Sequence, residues 1–160
     1  MRKEKVFLAF GGNIGDAAQT IRSSEKLIQE LPGINGVTFS RLYRTSPVST
    51  LLQPEYINAV CCLKTTLPYK MLWKEIQEIE KALGKEQKAK NAPRRIDIDF
   101  LFYGDKKICE EGLEIPHPRW QERLFVLVPL FDLVTNIIDV DIERRIRELR
   151  MLTKDSVELY

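Results

Sequence analysis

The sequence predicts an α+β fold whose elements follow the order β-α-β-β-α-β, with strand and helix additions after it. Two amphipathic helical patterns, one closing at Leu31 and the other at Leu83, are separated by two β-rich runs and flanked by two more. The chain has 160 residues, 44% hydrophobic and 30% charged, enough for a hydrophobic core, and it shows no internal repeat or low-complexity linker. Together these place it with the ferredoxin-like architecture, as a single domain over residues 1–160.

Each element has its own signal. Val6 to Phe10 reads as a buried strand, and the Gly11-Gly12-Asn13 turn leads to Asp16, a good N-cap. Ile21, Leu27, Ile28 and Leu31 then recur at helical spacing until Pro32-Gly33 stops the helix. Val37 to Arg44 alternates apolar and polar residues as a half-buried strand does, and Ser46-Pro47 breaks it. After a loop to Glu55, Tyr56 to Thr66 forms the next strand, and a hairpin is the simplest connection. Pro68 opens a helix with apolar positions Leu72, Ile76, Ile79 and Leu83, ended by Gly84 at C′. Lys85 to Arg95 is polar and aperiodic, and Ile96 to Tyr103 before Gly104-Asp105 is the fourth strand. Beyond it come a short strand near Lys107 to Cys109, a loop to Ile115-Pro116-His117-Pro118, an apolar helix from Arg123 to Leu133 and a last helix after Asp141.

Composition narrows the function. With 25 Lys and Arg against 23 Asp and Glu the formal charge is +2, which argues against a surface built to grip nucleic acid or an anionic membrane. The N-terminal apolar run is too short for a signal peptide, and the longest one, Leu124 to Phe131, is far too short to span a membrane. Three cysteines, two of them adjacent, form neither an even disulfide framework nor a zinc pattern, so a reduced, cytoplasmic protein is expected.

Asp97 and Asp99 are two apart in a strand otherwise made of Ile, Phe and Leu, so both carboxylates share one face. A solvated edge would account for two such acids; neutralisation by a divalent cation accounts for them too, and Mg²⁺ is typically held by one or two carboxylates plus substrate phosphates. Asp139-Val140-Asp141 repeats the spacing, but there Asp141 is explained as an N-cap. The neighbourhood separates the two pairs: Lys85, Lys88, Lys90, Arg94 and Arg95 stand just upstream of Asp97 with only Glu86 opposing them. A basic loop facing two acids suits a polyphosphate. His117, the only histidine, is fixed between two prolines and followed by Arg119 and Arg123; it is either structural or a hydrogen-bond donor to phosphate. Tyr56 and Asn58 share a strand face and offer a stacking surface beside an amide, as a planar heterocycle requires, although a core Tyr with a satisfied Asn reads the same way. Phe125 is open in the same manner. Gly11-Gly12-Asn13 is neither a Rossmann nor a Walker motif.

Five motifs resemble, in order and spacing, the 6-hydroxymethyl-7,8-dihydropterin pyrophosphokinases of folate biosynthesis. They are Gly11-Gly12-Asn13, Tyr43-Arg44-Thr45-Ser46-Pro47, Gln53-Pro54-x-Tyr56-x-Asn58, Pro93-Arg94-x-x-Asp97-x-Asp99, and Pro116-His117-Pro118 followed by Leu124-Phe125. The resemblance runs from about residue 5 to residue 133. It implies transfer of pyrophosphate from ATP to the pterin hydroxymethyl oxygen, leaving AMP, with two Mg²⁺ ions held by Asp97 and Asp99. It further implies that Tyr56 and Phe125 sandwich the pterin and that Asn58 with the backbone of Thr45, Pro47 and Val48 reads its edge. Gln77, Glu80, Lys85, Lys88, Arg94, His117 and Arg123 correspond to positions near ATP, with Arg94 and Arg123 acting on its phosphates. The partners implied are these two small molecules, with no nucleic acid, membrane or obligate protein partner. The departures lie mainly in the basic loop, where lysines stand for the arginines of many relatives, and at Ser46, where some relatives have proline.

A polyphosphate-binding or regulatory protein without turnover would carry the same residues, and only an assay distinguishes it from the enzyme; two other classes fit less well. An RNA-binding module would need an aromatic-rich strand of the RNP1 kind, which the sequence does not offer, and the acids of the fourth strand would repel RNA phosphates. A metal-dependent glycosyltransferase would explain Asp97-x-Asp99, but the chain is short for one and its pattern lacks the expected doubly wound domain.

Overall fold

The computed structural model describes residues 2–46, 55–84 and 95–160. Nine residues from Glu4 to Gly12 form β1, followed by α1 (Ala17–Gln29), β2 (Ile34–Phe39), β3 (Tyr43–Thr45), β4 (Tyr56–Thr65), α2 (Tyr69–Ala82) and β5 (Asp97–Tyr103). The additions are β6 (Ile108–Glu110), β7 (Leu113–Ile115), a 3-10 turn at Trp120–Glu122, α3 (Leu124–Phe131), β8 (Asn136–Ile137), β9 (Val140–Asp141), α4 (Ile142–Leu152) and β10 (Val157–Leu159).

Six strands make one sheet in the order β10-β3-β4-β1-β5, with β2 also beside β4, and every pairing is antiparallel. β1 lies between β4 and β5 and is covered on both faces, which is why Val6 to Phe10 is almost continuously apolar. Val6, Leu8 and Phe10 pack with Ile21 and Ile28 of α1 and Leu72, Ile76 and Ile79 of α2. Phe7 and Val60 face the other way, into a second core with Leu127 and Leu130 of α3 and Ile142 and Ile146 of α4. The β1–β5 register slips between Phe7 and Leu8, opposite Phe102 and Phe100, so Leu101 is the extra residue of a bulge and both Leu101 and Phe102 reach this second core.

Helix boundaries follow the expected local chemistry. Asp16 accepts the Gln19 N–H at 3.1 Å, and Asp141 accepts the Arg144 N–H at 3.1 Å, so both are N-caps. Gly84 follows α2 with φ +92°, the left-handed conformation that favours glycine at C′. The strand expected over 37–44 is instead two strands on the same edge of β4. Between them the Ser40 N–H donates to the Val60 carbonyl while the Ser40 hydroxyl accepts the Val60 N–H, so a side chain stands in for the backbone acceptor and interrupts the ladder. The loop expected before Ile115 contains β7, hairpin partner of β6, and the C-terminal β10 has no counterpart among the expected elements. Strands of two or three residues are too short to show a period. No helix among the described residues is long and apolar enough to cross a membrane.

Candidate active site

A cleft of about 490 Å³ opens on the α3 side of the sheet. Its floor follows from the strand register. Gly11 of β1 pairs with Asn58 on one side and Asp97 on the other, and Ala9 pairs with Val60 and Asp99. Side chains at 9 and 11 share this face, and both residues are small, so β1 leaves a trough between β4 and β5. Asn58 and Asp97 are thus two strands apart, about 10 Å. A Cβ added at Gly11 would sit 3.5 Å from Asn58 Oδ1.

The acids stand as the alternation of β5 requires. Asp97 is half-buried and Asp99 exposed, both line the cleft, and Ile96, Ile98 and Phe100 are buried on the opposite side. Among the described residues no group of three or more His, Cys, Asp or Glu converges as a self-sufficient metal cage. A two-carboxylate set leaves most of a cation's ligands to come from elsewhere, as Mg²⁺ bound with phosphates does.

The wall opposite is built by the 115–126 segment. The Ile115–Pro116 bond is cis, and the His117 N–H donates to the Leu101 carbonyl at 3.1 Å, tying the segment to β5. His117 Nδ1 accepts the Arg119 N–H at 3.2 Å, so the neutral ring carries its proton on Nε2. Burial, then the charges of Arg123 and Arg119, lower the His117 pKa and favour that neutral form. Arg123 precedes the first turn of α3, and its guanidinium lies 5.5 Å from the Phe125 ring centroid. Burial and then Arg119 lower its pKa while Asp99 opposes them, and as a guanidinium it remains charged. Arg119 Nε is paired with Glu122 at 3.2 Å on the rim.

The remaining walls are Thr45, Ser46 and Tyr56, from the paired β3 and β4 edge. Asn58 is 4% exposed, and its Oδ1 has no hydrogen-bond partner among the described residues. A buried acceptor left unpaired is costly, and binding sites are where such costs are tolerated.

Of the residues singled out from sequence, the cleft collects Thr45, Tyr56, Asn58, Asp97, Asp99, His117, Arg123 and Phe125. Gln77 is exposed on α2, and Glu80 is buried with its Oε2 accepting the Ile98 N–H at 2.7 Å; neither lines the cleft. Pro47, Val48, Lys85, Lys88 and Arg94 lie outside the described residues. Asp155 and Glu122 line the cleft without having been singled out. Glu122 sits one residue before Arg123 and could have been flagged by that adjacency, whereas an isolated Asp near the C-terminus carries no sequence signal.

Residues 7–135 match the model of the family described as 7,8-dihydro-6-hydroxymethylpterin-pyrophosphokinase. The folic acid synthesis protein fol1 of Pneumocystis carinii is 40% identical over 136 residues, covering 84% of this chain and 18% of that protein. The 2-amino-4-hydroxy-6-hydroxymethyldihydropteridine pyrophosphokinase of Haemophilus influenzae is 33% identical over 132 residues, covering 82% of each. The Plasmodium falciparum HPPK-DHPS crystal structure with STZ-DHP superposes with a TM-score of 0.70 at 15% identity, over 92% of this chain and 43% of that one, a likeness of fold. The chain spans less than half the length of its relatives from Pneumocystis carinii, Dictyostelium discoideum and Lactococcus lactis. On the extent of the family match and the identity to the Haemophilus protein, this chain belongs to the 7,8-dihydro-6-hydroxymethylpterin-pyrophosphokinase family.

Proposed function

We propose that the protein transfers pyrophosphate as a unit from ATP to the hydroxymethyl oxygen of 6-hydroxymethyl-7,8-dihydropterin, forming AMP and the pterin diphosphate, a step of folate biosynthesis. The observation that carries this is the cross-sheet row Asn58–Gly11–Asp97, which sets an unpaired amide acceptor and a carboxylate at opposite sides of one small-residue trough. Their separation suits a bicyclic heterocycle whose one-carbon arm ends at the acids.

On this reading Tyr56 and Phe125 hold the ring faces, and Asn58 with Thr45 takes its hydrogen-bonding edge. Asp97 and Asp99 are the residues that would hold Mg²⁺, which supplies charge neutralisation to the triphosphate when bound. Arg123 adds a cation that cannot lose its charge, and His117 Nε2–H donates to a phosphate oxygen without bringing a positive charge of its own. Pro47, Val48, Lys85, Lys88 and Arg94 complete the pterin and phosphate contacts in this assignment. Chemistry of this kind depends on alignment and electrostatics more than on a strong nucleophile. The sheet order, with α1 and α2 on one face, supports reading the core as ferredoxin-like. The free thiols of Cys61, Cys62 and Cys109 support a reducing, cytoplasmic setting.

The test is chromatographic resolution of nucleotides formed from Mg·ATP with and without 6-hydroxymethyl-7,8-dihydropterin. Pterin-dependent AMP is the expected product. Pterin-dependent ADP would mean phosphoryl transfer, and no product from folded protein would mean binding without turnover; either overturns the assignment.

A further inference from the structure

The family match ends at residue 135, and the last strand, β10, lies beyond it. β3 is three residues long and is held on both edges: β4 sets Tyr56 opposite Thr45 on one side, and β10 sets Val157 opposite Thr45 on the other. β10 also grips the chain beyond both ends of β3. The Tyr160 N–H donates to the Leu42 carbonyl at 3.0 Å, and the Ser46 N–H donates to the Ser156 carbonyl at 3.3 Å. In return the Ser156 N–H donates to the Ser46 hydroxyl at 3.3 Å, so residues 46 and 156 are tied twice. β10 is itself anchored: Val157 packs on the second core, and the Asp155 N–H donates to Thr153 Oγ1 at 3.1 Å in the turn from α4.

Thr45 and Ser46 line the cleft, and Ser156 does not, so Ser156 reaches a ligand only through Ser46. The double tie needs serine at 46, because alanine has no hydroxyl and proline has neither hydroxyl nor N–H. A pairing as short as that of β3 with β4 is marginal by itself. A wall that is in place only part of the time lowers apparent affinity by that fraction. The sheet order sets β4 and β1 between β3 and β5, so this wall stands across the cleft from Asp97 and Asp99.

We propose that Ser46 and Ser156 are positioning residues: their reciprocal hydrogen bonds make the C-terminal strand a support of the heterocycle wall, holding Thr45 and Ser46 in the arrangement that binds the pterin. This rests on the cleft taking a pterin, as proposed above. The tie is made before the ligand arrives, so its loss raises the pterin KM and leaves turnover at saturation and nucleotide binding unchanged.

The test is calorimetric titration of 6-hydroxymethylpterin in Mg²⁺ and α,β-methylene-ATP, beside steady-state AMP formation, in Ser46→Ala, Ser156→Pro and the double variant. Ser46→Ala removes the acceptor. Ser156→Pro removes the donor and keeps the carbonyl, at the residue before β10, where proline is tolerated. Each single variant should weaken pterin binding and raise its KM about fivefold, with kcat and affinity for the nucleotide analogue within about twofold. The double variant should bind pterin no worse than the weaker single one, because either change breaks the same bond. Ser46→Thr keeps the hydroxyl and should bind as the wild type does. Wild-type affinity in Ser156→Pro, or additive losses in the double variant, overturns the tie and leaves the pterin reading standing. Equal loss of pterin and nucleotide affinity, or a fall in kcat as large as the rise in KM, overturns it too. Wild-type protein that binds the nucleotide analogue but no pterin overturns the pterin reading and this assignment with it. Melting temperatures verify that each variant is folded; should Ser156→Pro not fold, equal pterin affinity in Ser46→Ala and Ser46→Thr overturns the role of the hydroxyl.

Discussion

Glu80 accepts the backbone N–H of Ile98 at 2.7 Å, at the one residue that separates Asp97 from Asp99. β5 is an edge strand, so some of its N–H groups lack a strand partner, and a carboxylate from α2 takes this one. Glu80 is only 6% exposed, so the bond is made away from water and its loss leaves a buried N–H without an acceptor. Glu80→Ala should therefore destabilise the fold by about 1–3 kcal/mol in urea titration. It should also weaken Mg²⁺-dependent nucleotide binding, because the strand that spaces the two acids loses its anchor. Glu80→Gln keeps an acceptor and should recover most of the stability; equal loss in both variants would contradict this role.

The paired acids make the sharpest prediction for turnover. Asp97→Asn or Asp99→Asn should each lower kcat/KM for pterin-dependent AMP formation by about 100-fold or more, equivalent to about 2.7 kcal/mol. Each should also abolish the rise in melting temperature produced by Mg·ATP in the wild type. A variant that keeps both would show that the acids are a solvated edge.

Asn58 separates function from stability. Its Oδ1 is buried and unpartnered among the described residues, so Asn58→Ala removes a costly group. The urea midpoint should stay level or rise, while pterin affinity falls about tenfold or more and nucleotide affinity changes by less than about twofold. A drop in the midpoint would locate the role of Asn58 in the core.

His117 predicts a pH signature. Its folded pKa is lowered, by burial first and then by Arg123 and Arg119, so the unfolded chain binds more protons in the window just below the ordinary value of 6.5. The stability it contributes is fully present above pH 6.5 and is lost as pH falls through the lower folded value. In His117→Gln the urea midpoint should fall less between pH 7 and pH 5 than in the wild type; parallel curves would rule the linkage out.

Asp132, the residue that follows α3, ties that helix to Arg41 and to Tyr43 at the start of β3. Burial alone would raise its pKa, but hydrogen bonds from Arg41 and Tyr43 outweigh burial and lower it. Arg41 Nη2 lies 2.8 Å from Oδ1, and the Tyr43 hydroxyl donates at 2.9 Å. Arg41 contributes most, through its backbone N–H at 3.1 Å as well as its guanidinium, and the Tyr43 bond, from a buried ring, adds to it. Tyr43→Phe should lower stability by about 1 kcal/mol at neutral pH. The deficit should shrink as pH falls through the lowered carboxylate pKa, since the wild type then loses the charge on Asp132.

Periodicity in the sequence determined the two long helices, the caps at Asp16 and Asp141, the β1 and β5 strands and the shared face of Asp97 and Asp99. These are local properties: the 3.6 and 2.0 residue repeats and the chemistry of a turn are written within a few residues of one another. The resemblance of five short motifs identified the family, because their order and spacing are themselves one-dimensional. Only the tertiary structure decided that Gly11 stands between Asn58 and Asp97, that Glu80 supports the strand carrying the acids, and that Ser40 divides a strand that reads as continuous. It alone brought Asp155 into the cleft, through the pairing of a three-residue strand with another more than a hundred residues earlier. Such pairings join residues far apart in the chain through backbone hydrogen bonds whose carbonyl acceptor every residue has and whose N–H donor only proline lacks, so side-chain identity leaves no trace of the partner.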